Sequence, residues 1–305
     1  MQQKIQQVIN QIAGKVIGKN QQIKLALTCL IADGHLLIED LPGMGKTTLS
    51  HALAESLGLN FSRIQFTSDL LPADMLGLNI YDTVKQSFQF HPGPIFSQLV
   101  LADEINRASP KTQSALLEAM EEKQVSLDGE TRPLPSPFFV IGTQNPMHQS
   151  GTYPLPESQL DRFLMRVQLG YPDWQAEKQM LLHADKGQSK AIEPVMSLSE
   201  FNKLQTQVAD VHASDNILDY ILKLVTHSRE QEGFPNPLSP RASKALAKAS
   251  KAWALVHGRD YVVPEDIQAI LPAVAEHRMR SSMADFNGQT SLSTRLLEAI
   301  DPLAA

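Results

Sequence analysis

The chain has 305 residues, enough for one large domain or for two ordinary domains that each bury a core. Its composition, 42% hydrophobic and 20% charged, excludes a disordered or fibrous protein. The formal net charge of -6 argues against a dedicated nucleic-acid binder, and the single cysteine, Cys29, excludes a disulfide framework or a thiolate metal cluster.

The first residues predict an amphipathic helix, because apolar side chains recur at helical spacing from Ile5 to Ile12. This pattern differs from a secretory signal, and no apolar stretch approaches the roughly 18 residues that a membrane span needs. We therefore expect no membrane span and a cytoplasmic location. A second apolar helix is expected after Gly18, ending near Gly34.

Short apolar runs alternate with helical segments over the next part of the chain. The runs predict strands at 36–39, 61–66, 99–102, 138–142 and 166–170. Helical patterns lie between them, as at 46–57 and 111–123. The alternation predicts an α/β fold, a parallel five-stranded sheet with helices on both faces. The connections 69–96 and 122–137 are longer than a simple crossover needs, so we expect insertions there.

Strand patterns stop near residue 171, and helical patterns replace them. These cover 173–183, 198–211, 217–229, 240–257 and 264–279. The polar stretch 184–194, which contains Gly187 and Pro194, predicts a linker. We therefore expect an α/β core at 1–190 and a small all-helical domain at 191–305.

A glycine-rich loop lies between the first predicted strand and a predicted helix. It reads Leu41-Pro42-Gly43-Met44-Gly45-Lys46-Thr47-Thr48. In such a loop, backbone N–H groups and the helix dipole hold a phosphate chain, Lys46 reaches the terminal phosphates and the Thr47 hydroxyl binds Mg²⁺. The full pattern has a glycine five residues before Gly45, where this chain has Asp40. The alternative is an ordinary strand-to-helix turn with a solvated lysine.

Two adjacent carboxylates, Asp103 and Glu104, end the third predicted strand. Carboxylates at a buried strand end are costly unless they bind something, and α/β sheets bind ligands at this edge. We expect Asp103 to hold Mg²⁺ and Glu104 to orient and polarise the attacking water. The alternative is a solvated strand end.

Asn145 follows the fourth predicted strand and precedes Pro146. If this strand lies beside the strand that leads into the loop, the neutral amide of Asn145 can position water near the γ-phosphate. Taken alone, an asparagine before proline is more typical of a turn.

Two arginines lie at predicted helix ends. Arg162, just before the fifth predicted strand, either pairs locally with Asp161 or Glu157 or reaches a neighbouring subunit's nucleotide and stabilises transition-state charge there. Arg241 lies in the first turn of a helix capped by Ser239. A helix N-terminus disfavours a cation, so we expect an anion such as phosphate beside Arg241, an ordinary exposed arginine being the alternative.

These elements, in this order, resemble the MoxR family of AAA+ ATPases from residue 16 to about residue 280. The motifs that carry the resemblance are Gly43-Met44-Gly45-Lys46-Thr47, Leu101-Ala102-Asp103-Glu104-Ile105-Asn106-Arg107-Ala108, Gly142-Thr143-Gln144-Asn145-Pro146, Tyr153-Pro154-Leu155-Pro156-Glu157, Leu160-Asp161-Arg162-Phe163 and Ser239-Pro240-Arg241. Together these motifs are far more specific than any one of them.

The resemblance implies ATP and Mg²⁺ as cofactors, with Walker A at Gly43–Thr48 and Mg²⁺ held by Thr47 and Asp103. The implied nucleotide-binding residues are Val16, Ile17, Gly18, Pro42, Gly43, Met44, Gly45, Lys46, Thr47 and Thr48.

The resemblance also assigns catalytic roles. It implies Walker B at Asp103 and Glu104, sensor 1 at Asn145, the arginine finger at Arg162 and sensor 2 at Arg241. ATP hydrolysis is the activity that this set implies.

Beyond the site, the resemblance implies a helix-2 insert near 69–96 and a hairpin before sensor 1 near 125–134. MoxR-like ATPases are ring-forming, usually hexameric, chaperone-like machines that act on partner proteins, often ones with von Willebrand A domains or metal centres. A homo-oligomeric ring with protein clients, the helical segment serving as its lid domain, is therefore the expectation.

Three alternatives remain open. A non-hydrolysing scaffold would bind ATP only to assemble, and Glu104 disfavours it. A helicase-type motor would need a basic hairpin, whereas 125–134 contains Asp128, Glu130 and a single arginine, Arg132. A small-molecule kinase is disfavoured by the helical domain with Arg241.

Overall fold

The computed structural model describes residues 1–145, 152–184, 192–280 and 291–302. Among the described helices, none combines the length and the apolar character of a membrane span. Pro146 and the predicted domain boundary at residue 190 lie outside the described residues, so that boundary stays a proposal.

Five parallel strands form the central sheet in the order β2-β5-β8-β1-β9. They are β1 His35–Glu39, β2 Phe61–Gln65, β5 Leu99–Asp103, β8 Phe139–Gln144 and β9 Phe163–Val167. The predicted parallel sheet is confirmed. Because the carboxyl ends of parallel strands share one edge, the residues that follow β1, β5 and β8 meet there.

Helices cover both faces of this sheet. Side chains alternate along each strand, so Leu36 and Leu101 belong to one apolar core and Leu37 and Val100 to the other. The first core is completed by α1 Gln2–Ala13, α2 Asn20–Ile31 and α3 Lys46–Ser56. The second is completed by α4 Pro72–Leu76 and α5 Pro110–Glu122.

The described residues after β9 are mostly helical, as predicted. Its helices are α7 Trp174–Ala184, α8 Leu198–Asp210, α9 Asp215–Glu230, α10 Pro240–Val256, α11 Pro264–Met279 and α12 Leu292–Ala299. Helix α10 packs on α2 and α11 packs on β9, so Leu246 and Val274 share a core with Leu36. The helical part therefore packs directly against the sheet.

Both predicted insertions contain a two-stranded antiparallel hairpin. The first holds α4, β3 Gly77–Asp82 and β4 Ser87–Pro92, and the second holds β6 Gln124–Leu127 and β7 Glu130–Pro133. The hairpins contact each other, since the side-chain amide of Asn79 donates to the carboxylate of Asp128 at 2.6 Å. In addition, the guanidinium carbon of Arg132 lies 4.0 Å from the centre of the Phe90 ring.

The prediction for the fifth strand, 166–170, is wrong by three residues at each end. The observed strand β9 begins directly after Arg162. Its buried apolar residues Phe163, Met165 and Val167 follow the strand period. The strand cannot extend to Gly170, which adopts a left-handed φ of 63°. A short helix, α6 Glu157–Leu160, precedes Arg162 as predicted.

Two helices were not predicted from the sequence. Helix α4 is five residues long, too short for a helical period to show. Helix α12 has a local start signal in Ser291, whose hydroxyl accepts from the Thr294 N–H. It is also capped from a distance, because the Glu276 carboxylate on α11 accepts from the N–H of Ser293 at 2.8 Å.

Candidate functional site

The glycine-rich loop connects the end of β1 to the start of α3. Gly43 and Gly45 adopt φ of 84° and 87°, a left-handed conformation that glycine tolerates without strain. Gly45 directly precedes α3, and the N–H groups in the first turn of a helix have no partner within it. The loop therefore leads into a favourable place for an anion such as phosphate.

Lys46 is buried at the start of α3, and its ammonium is held by two acceptors. It donates to the backbone carbonyl of Asp40 at 2.5 Å and to the amide oxygen of Asn145 at 2.8 Å. Burial lowers the pKa of Lys46, while nearby carboxylates, first that of Asp103, oppose this shift. An ammonium has three protons, so a third direction remains for a ligand.

The ends of β5 and β8 are joined by a chain of hydrogen bonds. The Thr143 hydroxyl donates to Asp103 Oδ1 at 2.6 Å and accepts from the backbone N–H of Glu104 at 2.9 Å. The amide nitrogen of Asn145 donates to Glu104 Oε1 at 3.0 Å. Asn145 therefore bridges Glu104 and Lys46, because β8 lies between β5 and β1.

Glu104 has an unusual backbone for a residue other than glycine, with φ 57° and ψ 49°. This left-handed conformation costs roughly 1 to 2 kcal/mol. Its second carboxylate oxygen accepts from Arg107 at 2.8 Å and from the Gln65 amide at 3.1 Å. The carboxylate is thus fixed from three directions at the edge where the loop lies.

Asp103 also carries a cationic partner. Arg63, on β2, donates to Asp103 Oδ2 through Nη2 at 2.6 Å and through Nε at 3.1 Å. Asp103 is buried, whereas the Arg63 side chain is about half exposed, at 49%. The partly exposed guanidinium of Arg63 therefore compensates the negative charge of the buried Asp103 carboxylate.

A buried ion pair fixes the strand that leads into the loop. Glu39, the last residue of β1, pairs with Arg166 of β9 at 2.6 Å and accepts from the Gln144 amide of β8 at 3.0 Å. Burial raises the pKa of Glu39, and the charge of Arg166 opposes that shift. Because a buried charge that loses its partner is strongly unfavourable, this pair ties β1 to β9, and the bond from Gln144 ties β8 to the same carboxylate.

A cavity of about 510 Å³ opens beside the glycine-rich loop. Its lining residues are Lys15, Val16, Ile17, Lys19, Gly43, Met44, Gly45, Thr48, Gly170, Tyr171, Pro172, Glu177, Met180 and Leu181. Its size lies in the range of small-molecule sites, and its lining combines the loop glycines with apolar side chains such as Val16, Ile17 and Leu181. This combination suits a ligand with a flat apolar part and a phosphate tail.

Gly18, predicted to bind nucleotide beside Val16 and Ile17, does not line this cavity. Its φ is 76°, and an added Cβ would lie 2.6 Å from the Cβ of Ala176 on α7. Gly18 therefore allows α7 to approach closely. Its role in nucleotide binding stays a prediction. Pro42 is exposed and also lies outside the lining residues.

Arg162 lies at the opposite edge of the sheet from the glycine-rich loop. It precedes β9, whose first residue, Phe163, pairs with His35 at the start of β1. The loop begins at the other end of β1, roughly 16 Å away for five residues of strand. That distance exceeds the reach of an arginine side chain, so Arg162 cannot touch a phosphate held by its own loop.

The local partner of Arg162 is Glu121, at the end of α5, with the charged atoms 2.9 Å apart. Neither predicted local partner is used, because Asp161 pairs instead with Arg278 at 2.6 Å and Glu157 has no ion pair among the described residues. Arg241 shares Glu121 with Arg162 and lies 3.8 Å from Asp161. The anions beside Arg241 are therefore carboxylates, and the expected phosphate is not needed to explain its position.

Comparisons with known proteins show the family of this chain. Residues 35–165 match the model of the ATPase family associated with various cellular activities, and residues 227–298 match the AAA lid domain. The chaperone MoxR1 of Mycobacterium tuberculosis is 37% identical over 97% of this chain and 81% of its own length. This chain belongs to the MoxR family of AAA+ ATPases.

Two further relatives resemble this MoxR-family chain over most of its length. The uncharacterised protein YeaC of Bacillus subtilis is 50% identical over 87% of this chain and 83% of its own length. The crystal structure of a candidate ATPase from Cytophaga hutchinsonii superposes with a TM-score of 0.89. It is 36% identical and covers 98% of this chain and 95% of its own.

The residues of this MoxR-family site fit a magnesium nucleotide. Mg²⁺ is usually held by one or two carboxylates together with phosphates, and Asp103 and the Thr47 hydroxyl offer the oxygen ligands it prefers. Thr47 follows Lys46 in the first turn of α3 and is exposed. The metal would supply charge neutralisation of the phosphates, and the protein would hold their oxygens through the loop and Lys46.

Several residues of the MoxR-family site were not found from the sequence. Arg63 and Gln65 reach Asp103 and Glu104 from β2, and Arg107 reaches Glu104 from the turn after β5. The alternation of Arg63 and Gln65 along one strand was a signal that both point to the same side. That side could not be identified as the active edge without knowing that β2 lies next to β5.

Proposed function

We propose that this chain hydrolyses ATP as one subunit of a homo-oligomeric ring that remodels partner proteins. The observation that carries the proposal is the placement of Arg162 and Arg241 at the edge opposite the glycine-rich loop. Two cations at one edge and a phosphate loop at the other make a subunit whose site is complete only with a neighbour. Such a head-to-tail contact generates a ring when the rotation closes.

Within one subunit, the network at the strand ends suggests how hydrolysis proceeds. Glu104 is the general base, since its carboxylate is held at the loop's edge and can accept a proton from the attacking water. Asn145 contacts both Glu104 and Lys46, so it is suited to align that water with the terminal phosphate. Arg162 of the adjacent subunit would then stabilise the charge that develops on the phosphate.

The remodelling role rests on relatives. The Mycobacterium tuberculosis relative is named a chaperone. A hexameric ring and clients with von Willebrand A domains are proposed from the family resemblance alone, and the cytoplasmic location stays an expectation drawn from the sequence pattern. The domain division at residue 190 is proposed from the change from strand to helical patterns and the polar stretch 184–194.

Replacing Lys46 by Ala should weaken ATP binding by about tenfold to a hundredfold, because it removes a charged hydrogen bond to the terminal phosphates. If ATP assembles the ring, the variant on its own, without chains that bind ATP, should also stay small in solution. Isothermal titration gives the affinity, and mass measurement with and without ATP gives the assembly state.

Lys111, an exposed lysine at the start of α5, provides the control, and Lys111→Ala should bind ATP like the unchanged protein. An unaltered ATP affinity in Lys46→Ala would contradict the assigned site. A wild-type protein that stays a monomer under every condition would remove the shared-site mechanism.

Nucleic acid should neither bind tightly nor stimulate ATP turnover. The arginine in the second hairpin, Arg132, is engaged by Glu130 and by the Phe90 ring. A phosphate backbone would have to displace both contacts. Fluorescence anisotropy with single-stranded DNA and RNA at two salt concentrations tests this, and submicromolar, salt-sensitive binding would restore the helicase alternative.

A further inference from the structure

Asp40 occupies the position where the usual phosphate-loop pattern has a glycine. It is only 9% exposed, and both of its carboxylate oxygens are used. Oδ1 accepts from the backbone N–H of Leu41 at 3.0 Å, and Oδ2 accepts from the backbone N–H of Gly170 at 2.6 Å. A glycine at this position could make neither bond.

The bond to Gly170 crosses from β1 to the segment that follows β9. Gly170 and Tyr171 line the cavity beside the loop, and the backbone carbonyl of Tyr171 accepts from the Lys19 ammonium at 2.6 Å. Asp40 and Lys19 therefore hold this two-residue segment from two sides. The backbone turns at Gly170, which adopts a left-handed φ of 63°, and the Asp40 carboxylate binds the chain at this turn.

The cavity lining offers partners for both parts of a nucleotide. The backbone of Gly43 and Gly45 suits the phosphates, so the base and ribose are left with the rest of the lining, which includes Val16, Ile17 and Tyr171 and which we call the base end. Asp40 reaches this part of the lining through Gly170, which precedes Tyr171. Its carboxylate makes no hydrogen bond or ion pair with Gly43, Gly45 or Lys46 among the described residues, although its charge opposes the lowering of the pKa of Lys46 by burial and its backbone carbonyl holds the Lys46 ammonium.

We propose that Asp40 is a positioning residue for nucleoside recognition, which holds the Gly170–Tyr171 segment against the glycine-rich loop. This inference rests on the proposed binding of ATP. The carboxylate brings a negative charge near the phosphate site, which by itself disfavours an anionic ligand. Asp40 therefore acts through the base end of the cavity, and the phosphate grip does not need it.

Two substitutions of Asp40 disrupt its side-chain bonds in different ways. Asp40→Gly restores the residue of the usual pattern and removes both side-chain bonds. Asp40→Asn keeps the shape, but an amide has a single acceptor oxygen, so one of the two N–H donors loses its partner and faces an NH₂ group. Both variants keep the backbone carbonyl that accepts from Lys46.

The experiment compares Mg²⁺-ATP with inorganic Mg²⁺-tripolyphosphate, which carries the phosphates without a nucleoside. Both Asp40 variants should bind ATP about tenfold more weakly, the usual effect of losing one charge-assisted hydrogen bond. Their affinity for tripolyphosphate should stay the same or increase, because a negative charge has been removed. The preference for ATP over UTP should fall, which a general loss of stability would not produce.

Asp33→Asn is the matched control. Asp33 lies just before β1, pairs with Lys123 at 2.8 Å and should affect neither ligand. Equal weakening of ATP and tripolyphosphate in the Asp40 variants would place the residue in the phosphate grip and overturn the inference, and so would unchanged ATP binding. A wild-type protein that binds neither ligand would instead overturn the proposed ATP binding on which the inference rests.

Discussion

Replacing Glu104 by Gln should slow ATP hydrolysis by about 10² to 10⁴-fold while ATP binding is retained. The amide has nearly the shape of the carboxylate, but it cannot accept a proton from water. The affinity should persist because Lys46, the main contact to the terminal phosphates, keeps its acceptors at Asp40 and Asn145. Single-turnover hydrolysis and equilibrium titration measure the two quantities separately.

The substitution Glu104→Gln also disturbs the hydrogen bonds around this side chain. In the native protein, Gln65, Arg107 and Asn145 all donate to the Glu104 carboxylate. The NH₂ group of the new amide would therefore face a donor, either Asn145 or the pair Gln65 and Arg107. Glu118→Gln, an exposed change on α5, controls for the substitution itself. Near-normal turnover in Glu104→Gln would mean that another group activates the water.

Replacing Arg162 by Ala should reduce hydrolysis by about 10³ to 10⁵-fold, the usual value for a cation that stabilises transferred phosphate from a neighbouring subunit. ATP binding to the same chain should be unaffected, since Arg162 lies a strand length from the loop. The fold should also be retained. The ion pair of Arg162 with Glu121 is partly exposed and contributes little to the free energy of unfolding. Arg241 still pairs with the Glu121 carboxylate in the variant.

Mixing two inactive variants tests whether Arg162 acts between subunits. Lys46→Ala carries an intact arginine, and Arg162→Ala carries an intact loop. Neither should hydrolyse ATP alone, but a mixed ring contains interfaces where the loop of one chain faces Arg162 of its neighbour. Partial activity should therefore return in proportion to those interfaces.

The matched control for this series is Arg295→Ala. Arg295 is exposed on α12 and donates to the backbone carbonyl of Gly233, away from Glu121. Mixed rings that form but stay inactive would refute the simple model of hydrolysis shared between neighbours. Activity of Arg162→Ala alone would remove the arginine from the reaction.

The sequence by itself determined the local chemistry of this protein. The loop at Gly43–Thr48, the strand-end carboxylates Asp103 and Glu104, and the alternation of strands and helices are all readable over short distances. They depend on backbone conformation and side-chain period, which neighbouring residues set. For the same reason the family resemblance could be drawn from the motifs before the fold was known.

Only the tertiary structure decided which of these elements meet. The period of a strand tells which side chains share a face, but it does not tell which strand lies alongside. Arg63 reaches Asp103 because β2 pairs with β5, and Asn145 reaches Lys46 because β8 pairs with β1.

The same limit explains the residues whose positions the sequence left undecided. Arg241 is 120 residues from Glu121 along the chain, and Asp40 is 130 residues from Gly170. Hydrogen bonds and ion pairs act over a few ångströms in space, so contacts this distant in sequence arise only after helices and strands have packed. The packing placed Arg162 and Arg241 at the edge opposite the glycine-rich loop, because a five-residue strand separates the two ends of a parallel sheet.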